Sequence, residues 1–513
     1  MFDKWFKLPV HYYLNITALS LLVVGISLSN VLMSIGTIWI IANWLLEFDF
    51  KVKLERFKTN KTVIAIGSFF VLMLISLIWS SDLDYALKDL LIKLPFITIP
   101  LVIGTSKPLG QKVYIYLLYL FLGTLALTSI INYVRFNTNT FGDIRQMSFF
   151  ISHIRLGGII CLALFLGGYE TCKKQLSIWF TFPVLVWLLF YLVQSQTLTA
   201  YILFSILCVV TLFFYLKESK LKYLLLLIIV VASVTTSLYV KNNIVIIEVP
   251  KTINSDNLVW YTTSGHSYYH DTTAILQENG NLVWLYVCVE ECESEWNKRS
   301  LISYDSTDAK GQPIYGTLFR YMSSKGLRKD SVDFQKLTDE DLINIEIGHA
   351  NFIVDSGIKG KINELYLSYL TYKSGGNPNG HSFIQRIEHF QTAIHLIEDN
   401  WLFGVGLGDV QLAFKLQYEL DQSTLNFDNR HKSHNQFLTA WISLGLMGFI
   451  LLIFILFRPL LDENINFSVL IVSASLIFGF FTQDMIETQA GVTIFALFYS
   501  LVNYKEKNGG KIR

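Results

Sequence analysis

Long apolar runs of helical length alternate with short polar breaks along most of the chain. They fall at about 12–29, 31–47, 62–80, 91–105, 112–134, 149–168, 176–194, 197–216 and 222–240, and again at about 435–457, 466–483 and 489–504. Runs of this length with few charges predict membrane-crossing helices. The fourth is short and carries Pro95 and Pro100, so a kinked or tilted helix is expected. The expectation is an all-α polytopic membrane protein of about twelve transmembrane helices. Its domains are helices 1–9 (residues 1–240), a large loop between helices 9 and 10 (241–433), and helices 10–12 with a short tail (434–513).

The loop breaks the pattern of short connections and reads as mostly helical. Pro313 to Ser324 predicts a helix ended by Gly326, and Thr338 starts another with Asp339 and Glu340 at its N-terminus. Residues 360–374 place Ile362, Leu365, Tyr366, Tyr369 and Leu370 on one face before Gly375-Gly376. Residues 244–249 and 281–289 suit strands. The clearest helix is 382–399, where Ser382 and Gln385 make a capping-box pattern and Phe383, Ile387, Phe390, Ile394 and Ile397 form an apolar stripe.

Composition sharpens the class. The chain is 52% hydrophobic and only 16% charged, too apolar for a soluble protein of 513 residues. A net charge of +1 leaves no basic field for nucleic acid. No small-residue cleavage site follows the first apolar run, so no cleavable leader is expected. Lysine and arginine favour one side: Lys51, Lys53, Arg56, Lys58 and Lys61, then Lys107, Lys112, Lys173, Lys174, Lys217, Lys220 and Lys222, then Arg458 and the C-terminal lysines. By the positive-inside rule both termini are expected in the cytoplasm and the long loop outside, with Arg135 and Arg145 as exceptions. Cys288 and Cys292 in the loop admit two readings: a disulfide in an oxidising space, or a helical C-x-x-x-C pair of free thiols. Two cysteines do not make a zinc site, and no metal or cofactor is expected.

The candidate chemistry concentrates late in the chain. His431-Lys432-Ser433-His434-Asn435 sits where the polar loop meets an apolar helix, and a titratable group at a membrane rim is a functional candidate. Arg386 and His389 are neighbours on the 382–399 helix. Gly404-Val405-Gly406-Leu407-Gly408-Asp409 suits either an anion-binding nest or a tightly packed turn, with Asp409 capping a helix at 410–420. Arg320, Lys325, Arg328 and Lys329 cluster around a glycine turn and are candidates to gather on one anion. Arg155 lies in an apolar run beside His153. A charge there costs ~2.5 kcal/mol or more at the bilayer centre unless it has a partner or a wet cavity. Asp484 and Glu487 share that rim and suit holding a histidine or arginine in place.

Taken in order, these pieces resemble the O-antigen ligase family of bacterial membrane glycosyltransferases. Arg386 leads an amphipathic helix. Asn400-Trp401-Leu402-Phe403-Gly404-Val405-Gly406-Leu407-Gly408 is similar to the family's glycine run, with Trp401 where proline is frequent. His434-Asn435-Gln436-Phe437-Leu438 matches its H-N-x-x-L, followed by Gly445 and Gly448. The stretch Arg320 to Asp330 looks like a branch found in Bacteroidetes-type bacteria. One departure is Ser195-Gln196-Thr197, where the family often has an arginine after the serine.

The resemblance implies transfer of a glycan from undecaprenyl diphosphate to a hydroxyl acceptor, such as a lipid A–core sugar, on the periplasmic side of the inner membrane. No cofactor is implied. His434 would be the base and Arg386 catalytic; Arg155, Arg320, Arg328, Lys329, Gly404, Gly406 and Asn435 would hold substrate. An O-antigen polymerase or a protein O-oligosaccharyltransferase shares this architecture and differs in acceptor. A lipid-linked glycan transporter is the reading from another class, and it predicts paired midplane charges and related halves, neither of which is legible.

Overall fold

The computed structural model describes residues 9–138, 144–216, 258–352, 382–462 and 465–504, apart from 273, 275 and 310, together with 369, 372, 378 and 379. The expected ninth helix, the 244–249 strand and nearly all of the 360–374 helix lie outside these. The chain forms two compact units. The first holds Met1–Lys222, Glu388–Ser423 and Arg430–Arg513; the second holds Tyr223–Ile387 and Thr424–Asn429. Residues 388–423 and 430–433, assigned to the loop by hydropathy, thus belong to the first unit.

The first unit is a helical bundle. Its apolar helices are Pro9–Leu28, Asn30–Leu46, Lys61–Ser76, Leu83–Thr105, Gln111–Thr138, His153–Cys172, Ile178–Ser195, Leu198–Tyr215, Gln436–Phe457, Phe467–Thr482 and Gln489–Asn503. Among the described residues, six helices are long and apolar enough to cross a membrane, or seven if the bent pair Asn30–Leu46 and Phe50–Thr59 is one broken span. Three of the expected spans (Lys61–Ser76, Phe467–Thr482, Gln489–Asn503) are shorter apolar helices. The fourth helix starts earlier than hydropathy suggests: Asp82 caps it by accepting from the Tyr85 amide at 2.8 Å. It carries Asp84, Lys88 and Asp89 on its first turns, so these are helical rather than loop charges.

Its core is aromatic and aliphatic. Phe96 stacks on Phe495 at 5.2 Å, and Phe121 meets Phe498 edge-on at 5.0 Å. Its outer surface is also apolar: Trp179 is 89% exposed and Ile78 84%. Water would penalise such a surface, whereas a hydrocarbon surround would not.

In the described part of the second unit, helices Val289–Arg299, Ile314–Ser324, Ser331–Phe334 and Asp339–Glu346 pack around Trp296, Phe319, Phe334 and Ile314. Gly326 turns the chain at φ +70° after the second helix. Thr338 and Asp341 form a capping box on the last. Gln277–Glu278 pairs antiparallel with Asn281–Leu282 across Asn279-Gly280, both left-handed, as a two-residue hairpin turn requires. Cys288 and Cys292 are buried free thiols. Of these two, Cys292 sits in the apolar core.

Candidate functional site

The first unit builds its site where helix Gln436–Phe457 begins. Asn435 caps it: its amide oxygen accepts from the Phe437 and Leu438 amides at 3.0 and 3.3 Å. That oxygen is committed to the helix, which makes Asn435 its cap. Ser433 is fully buried and braces the same turn, donating to the Asn435 carbonyl at 2.9 Å and lying 3.0 Å from the Thr439 hydroxyl. Between them His434 takes a left-handed backbone, φ +51°. A non-glycine residue there carries strain of roughly 1–2 kcal/mol, tolerated when the surroundings dictate it.

What dictates it is Asp484. The His434 amide donates to Asp484 Oδ2 at 3.0 Å, and Thr439 Oγ1 donates to Oδ1 at 2.6 Å. The imidazole Nδ1 lies 4.0 Å from the same Oδ2. Burial pushes the Asp484 carboxyl up to about 6, against the Thr439 hydrogen bond. The His434 ring stays 40% exposed while its carboxylate neighbour is nearly buried. His389 and His431 stand beside it, with ring centres 5.3 and 5.6 Å from His434 and 5.8 Å from each other. His389 is buried, and the Tyr418 hydroxyl donates to the His431 carbonyl at 2.7 Å.

Behind Asp484 lies a buried charge network. Glu487 accepts from Lys432 at 2.7 Å and from Lys93 at 2.9 Å, and Lys93 also pairs with Asp89. Burial pushes Glu487 up, but the two lysines outweigh it and hold its carboxyl below the usual range. Burial likewise pulls Lys432 down, and Glu487 outweighs it. Gln436 receives the Ile486 amide at 2.7 Å, tying this acidic turn to the helix start. Asp89, Lys93 and Thr439 were not among the sequence candidates: Asp89 and Lys93 are spaced as a helical i,i+4 pair, but Glu487 and Asp484, which tie Lys93 and Thr439 to the site, lie far away in the chain.

Arg155 lines a small open cavity of about 60 Å³ walled by Gly158, Leu162, Thr199, Leu203, Phe478 and Gln483. Its Nε is buried without a hydrogen-bond partner among the described residues, and Asp484 is the acid that acts on it electrostatically. A mostly apolar pocket with one unmet cationic donor suits a lipid that bears an anionic head. His153 is a staple instead: its ring nitrogens bond Ser148 Oγ at 3.1 Å and Thr197 Oγ1 at 2.7 Å.

The glycine run is a clamp, not a nest. Helix Gln436–Phe457 breaks at Gly445, φ +66° and ψ −164°. The break frees the Ile442 and Ser443 carbonyls, which accept from Val405 and Gly406 at 2.7 and 3.1 Å. Leu446 N and Trp441 Nε1 both donate to the Trp401 carbonyl at 2.9 Å. The Leu407 and Gly408 amides donate to Ser76 Oγ and Ser80 Oγ, and those of Gly404 and Asp409 to Asn400 and Gly406. All six amides from 404 to 409 are thereby used inside the protein, so Gly404 and Gly406 have none left for an anion. Asp409 does not cap its helix through its side chain. Its carboxylate instead accepts from the Ser81 amide and hydroxyl and the Asp82 amide, at 2.7 to 3.0 Å.

The basic cluster of the second unit disperses. Arg320 pairs with buried Glu278 at 2.7 Å, Lys325 with Asp341 at 2.6 Å, and Arg328 lies 4.6 Å over the Tyr286 ring. Lys329 is buried and donates to the Leu285 and Leu282 carbonyls at 3.0 and 3.3 Å, and burial brings its ammonium down to about 8. Arg320, Arg328 and Lys329 do not converge on one ligand, because each has found its own partner.

Helix Ser382–Asn400 buries a face only partly shared with the expected stripe, whose Ile387, Phe390 and Ile397 are half-buried. Ile384, His389, Thr392, Ala393 and Leu396 are buried, while Phe383 and Ile394 of the apolar stripe are exposed. Arg386 is half-buried and has no acid partner among the described residues; burial lowers its guanidinium. No curated protein matches the chain. Residues 346–453, which include Arg386, the glycine run and His434, match the family model described as O-antigen ligase.

Proposed function

We propose that this chain is a membrane glycosyltransferase of the O-antigen ligase type. It moves a glycan from undecaprenyl diphosphate to a hydroxyl acceptor, such as a lipid A–core sugar, at the periplasmic face of the inner membrane. The observation that carries this reading is the left-handed His434 held by a nearly buried carboxylate at a membrane-helix start, within a stretch that matches the family. In the reaction, His434 takes the proton from the acceptor hydroxyl as its oxygen attacks the sugar's anomeric carbon. The bond from that carbon to the diphosphate breaks, and the lipid diphosphate leaves. Asp484 stabilises the imidazolium so formed.

Arg155 is the cation for the diphosphate, because its unmet donor lines the apolar cavity in which a lipid would lie. The family resemblance assigns Arg386 a catalytic role, which rests on its sequence motif rather than on its placement. The glycine clamp and Asn435 act indirectly, by fixing where the His434 helix starts.

Purified His434→Ala protein, assayed for transfer from an undecaprenyl-linked glycan, is expected to lose ~10²–10⁴-fold in rate while still inserting in the membrane. Turnover near that of the wild type would overturn the assignment.

A further inference from the structure

We propose that the second unit carries a transition-metal site, zinc by its donor set, on His266, Cys288 and Glu291. This site is independent of the glycosyltransferase reading. The donor atoms of the three residues all lie within 4.8 Å of one another. A tetrahedral zinc with ordinary Zn–N, Zn–O and Zn–S bonds needs its donors roughly 3.3–3.7 Å apart, so only a small closure separates this arrangement from a bound state. One thiolate, one imidazole and one carboxylate make a set of borderline softness, which favours zinc over magnesium or calcium.

The three donors come from a braced frame. Cys288 and Glu291 sit at the N-cap and in the first turn of helix Val289–Arg299, so they project from the same turn. The Cys288 amide donates to the Lys329 carbonyl at 2.8 Å, and Val287 bridges both Tyr269 and Lys329. His266 closes a tight turn in which the Thr262 amide donates to the His266 carbonyl at 2.8 Å. Glu291 is oriented as metal-binding carboxylates are. Its Oε2 accepts from the Ser331 amide and hydroxyl at 2.7 and 2.6 Å, and Oε1 accepts from Thr262 Oγ1 at 2.6 Å.

His266 Nδ1 lies 2.9 Å from Glu291 Oε1, the contact a metal would replace by taking the place of the shared proton. A Glu–His–Thr hydrogen-bonded group is complete without sulfur; the buried thiol beside it is what the donor set of a metal site adds. The half-exposed His266 gives the ion an entry path, and a water can fill the fourth position. The sequence does not mark the site because His266 lies more than twenty residues before Cys288 and Glu291, and Cys292 sits in the core instead.

The test uses the full chain in detergent, stripped with a chelator and titrated with zinc and then cobalt ions. One equivalent of zinc per chain is expected. Cobalt should add a sulfur-to-metal charge-transfer band in the near ultraviolet together with the visible bands of a tetrahedral site. Cys288→Ser should abolish the charge-transfer band, and His266→Ala should weaken binding by at least about tenfold. Cys172→Ser, which removes an exposed thiol of the first unit, should leave both unchanged. His266 is exposed, so its replacement keeps the test readable even if the Cys288 variant folds poorly. Substoichiometric zinc, no sulfur band in the wild type, or equal affinity in His266→Ala would overturn the site.

Discussion

A histidine held at φ +51° beside a carboxylate whose proton leaves near pH 6 makes the rim of this protein pH-sensitive. Asp484 would sit near 3.8 without its burial and titrates at about 6 in the fold. The folded state therefore holds the proton more tightly, and stability falls as pH rises from about 4 to about 6. The loss is about 3 kcal/mol for this group at most. Activity runs the other way: below pH 6 a protonated Asp484 cannot balance the imidazolium. Transfer should thus show an acid limb near pH 6 that moves or vanishes in Asp484→Asn, while the loss of thermal stability between pH 4 and pH 7 becomes shallower in that variant. An unchanged acid limb would remove Asp484 from the reaction and leave it a structural acid. At this scale the sequence revealed His434 through its motif, but gave Asp484 no more weight than any rim acid, since its partners Thr439 and His434 are set by folding.

The element that fixes His434 is the broken helix, and its break is built by glycine. A Cβ at Gly445 would stand 2.1 Å from the Leu402 carbonyl oxygen, and its φ/ψ pair is one that only glycine adopts readily. A Cβ at Gly404 would meet Ile442 and Gly445 backbone at 2.6 Å. Gly445→Ala should therefore force the 401–406 strap out of the helix and remove folded protein, read as lost monodisperse yield in detergent. Gly168, in the helix His153–Cys172, has nothing within 4 Å of an added Cβ. Gly168→Ala should be neutral or stabilising by up to about 1 kcal/mol. Equal behaviour of the two would mean that the clamp carries no strain. The alternating glycines were legible as a tight turn. Their receptor was not, because it is a break in a helix further along and two serines, Ser76 and Ser80, at the opposite end of the chain. For the same reason the basic residues 320–329 looked like one ligand site: proximity in sequence shows the charges, whereas Glu278 and Asp341, which neutralise two of them, become neighbours only in the fold.

For the molecule as a whole, hydropathy found the helices well and their roles less well. Apolar length marks a helix, yet it does not separate a crossing helix from a short one braced by its neighbours: among the described residues six or seven are long enough to cross, and Lys61–Ser76, Phe467–Thr482 and Gln489–Asn503 are shorter. The sidedness rests on lysine and arginine placement alone, and it makes a prediction that needs no substrate. Leu301 is fully exposed in the second unit, and Cys172 is exposed at the end of helix His153–Cys172, beside Lys173 and Lys174. If the basic turns face the cytoplasm, an impermeant maleimide added to intact spheroplasts should label Leu301→Cys in a chain whose other cysteines are replaced. A chain that keeps Cys172 alone should react only after the membrane is opened. The reverse pattern would invert the protein. It would put the His434 rim on the cytoplasmic side, where a periplasmic acceptor is out of reach, and the proposed reaction would fail with it.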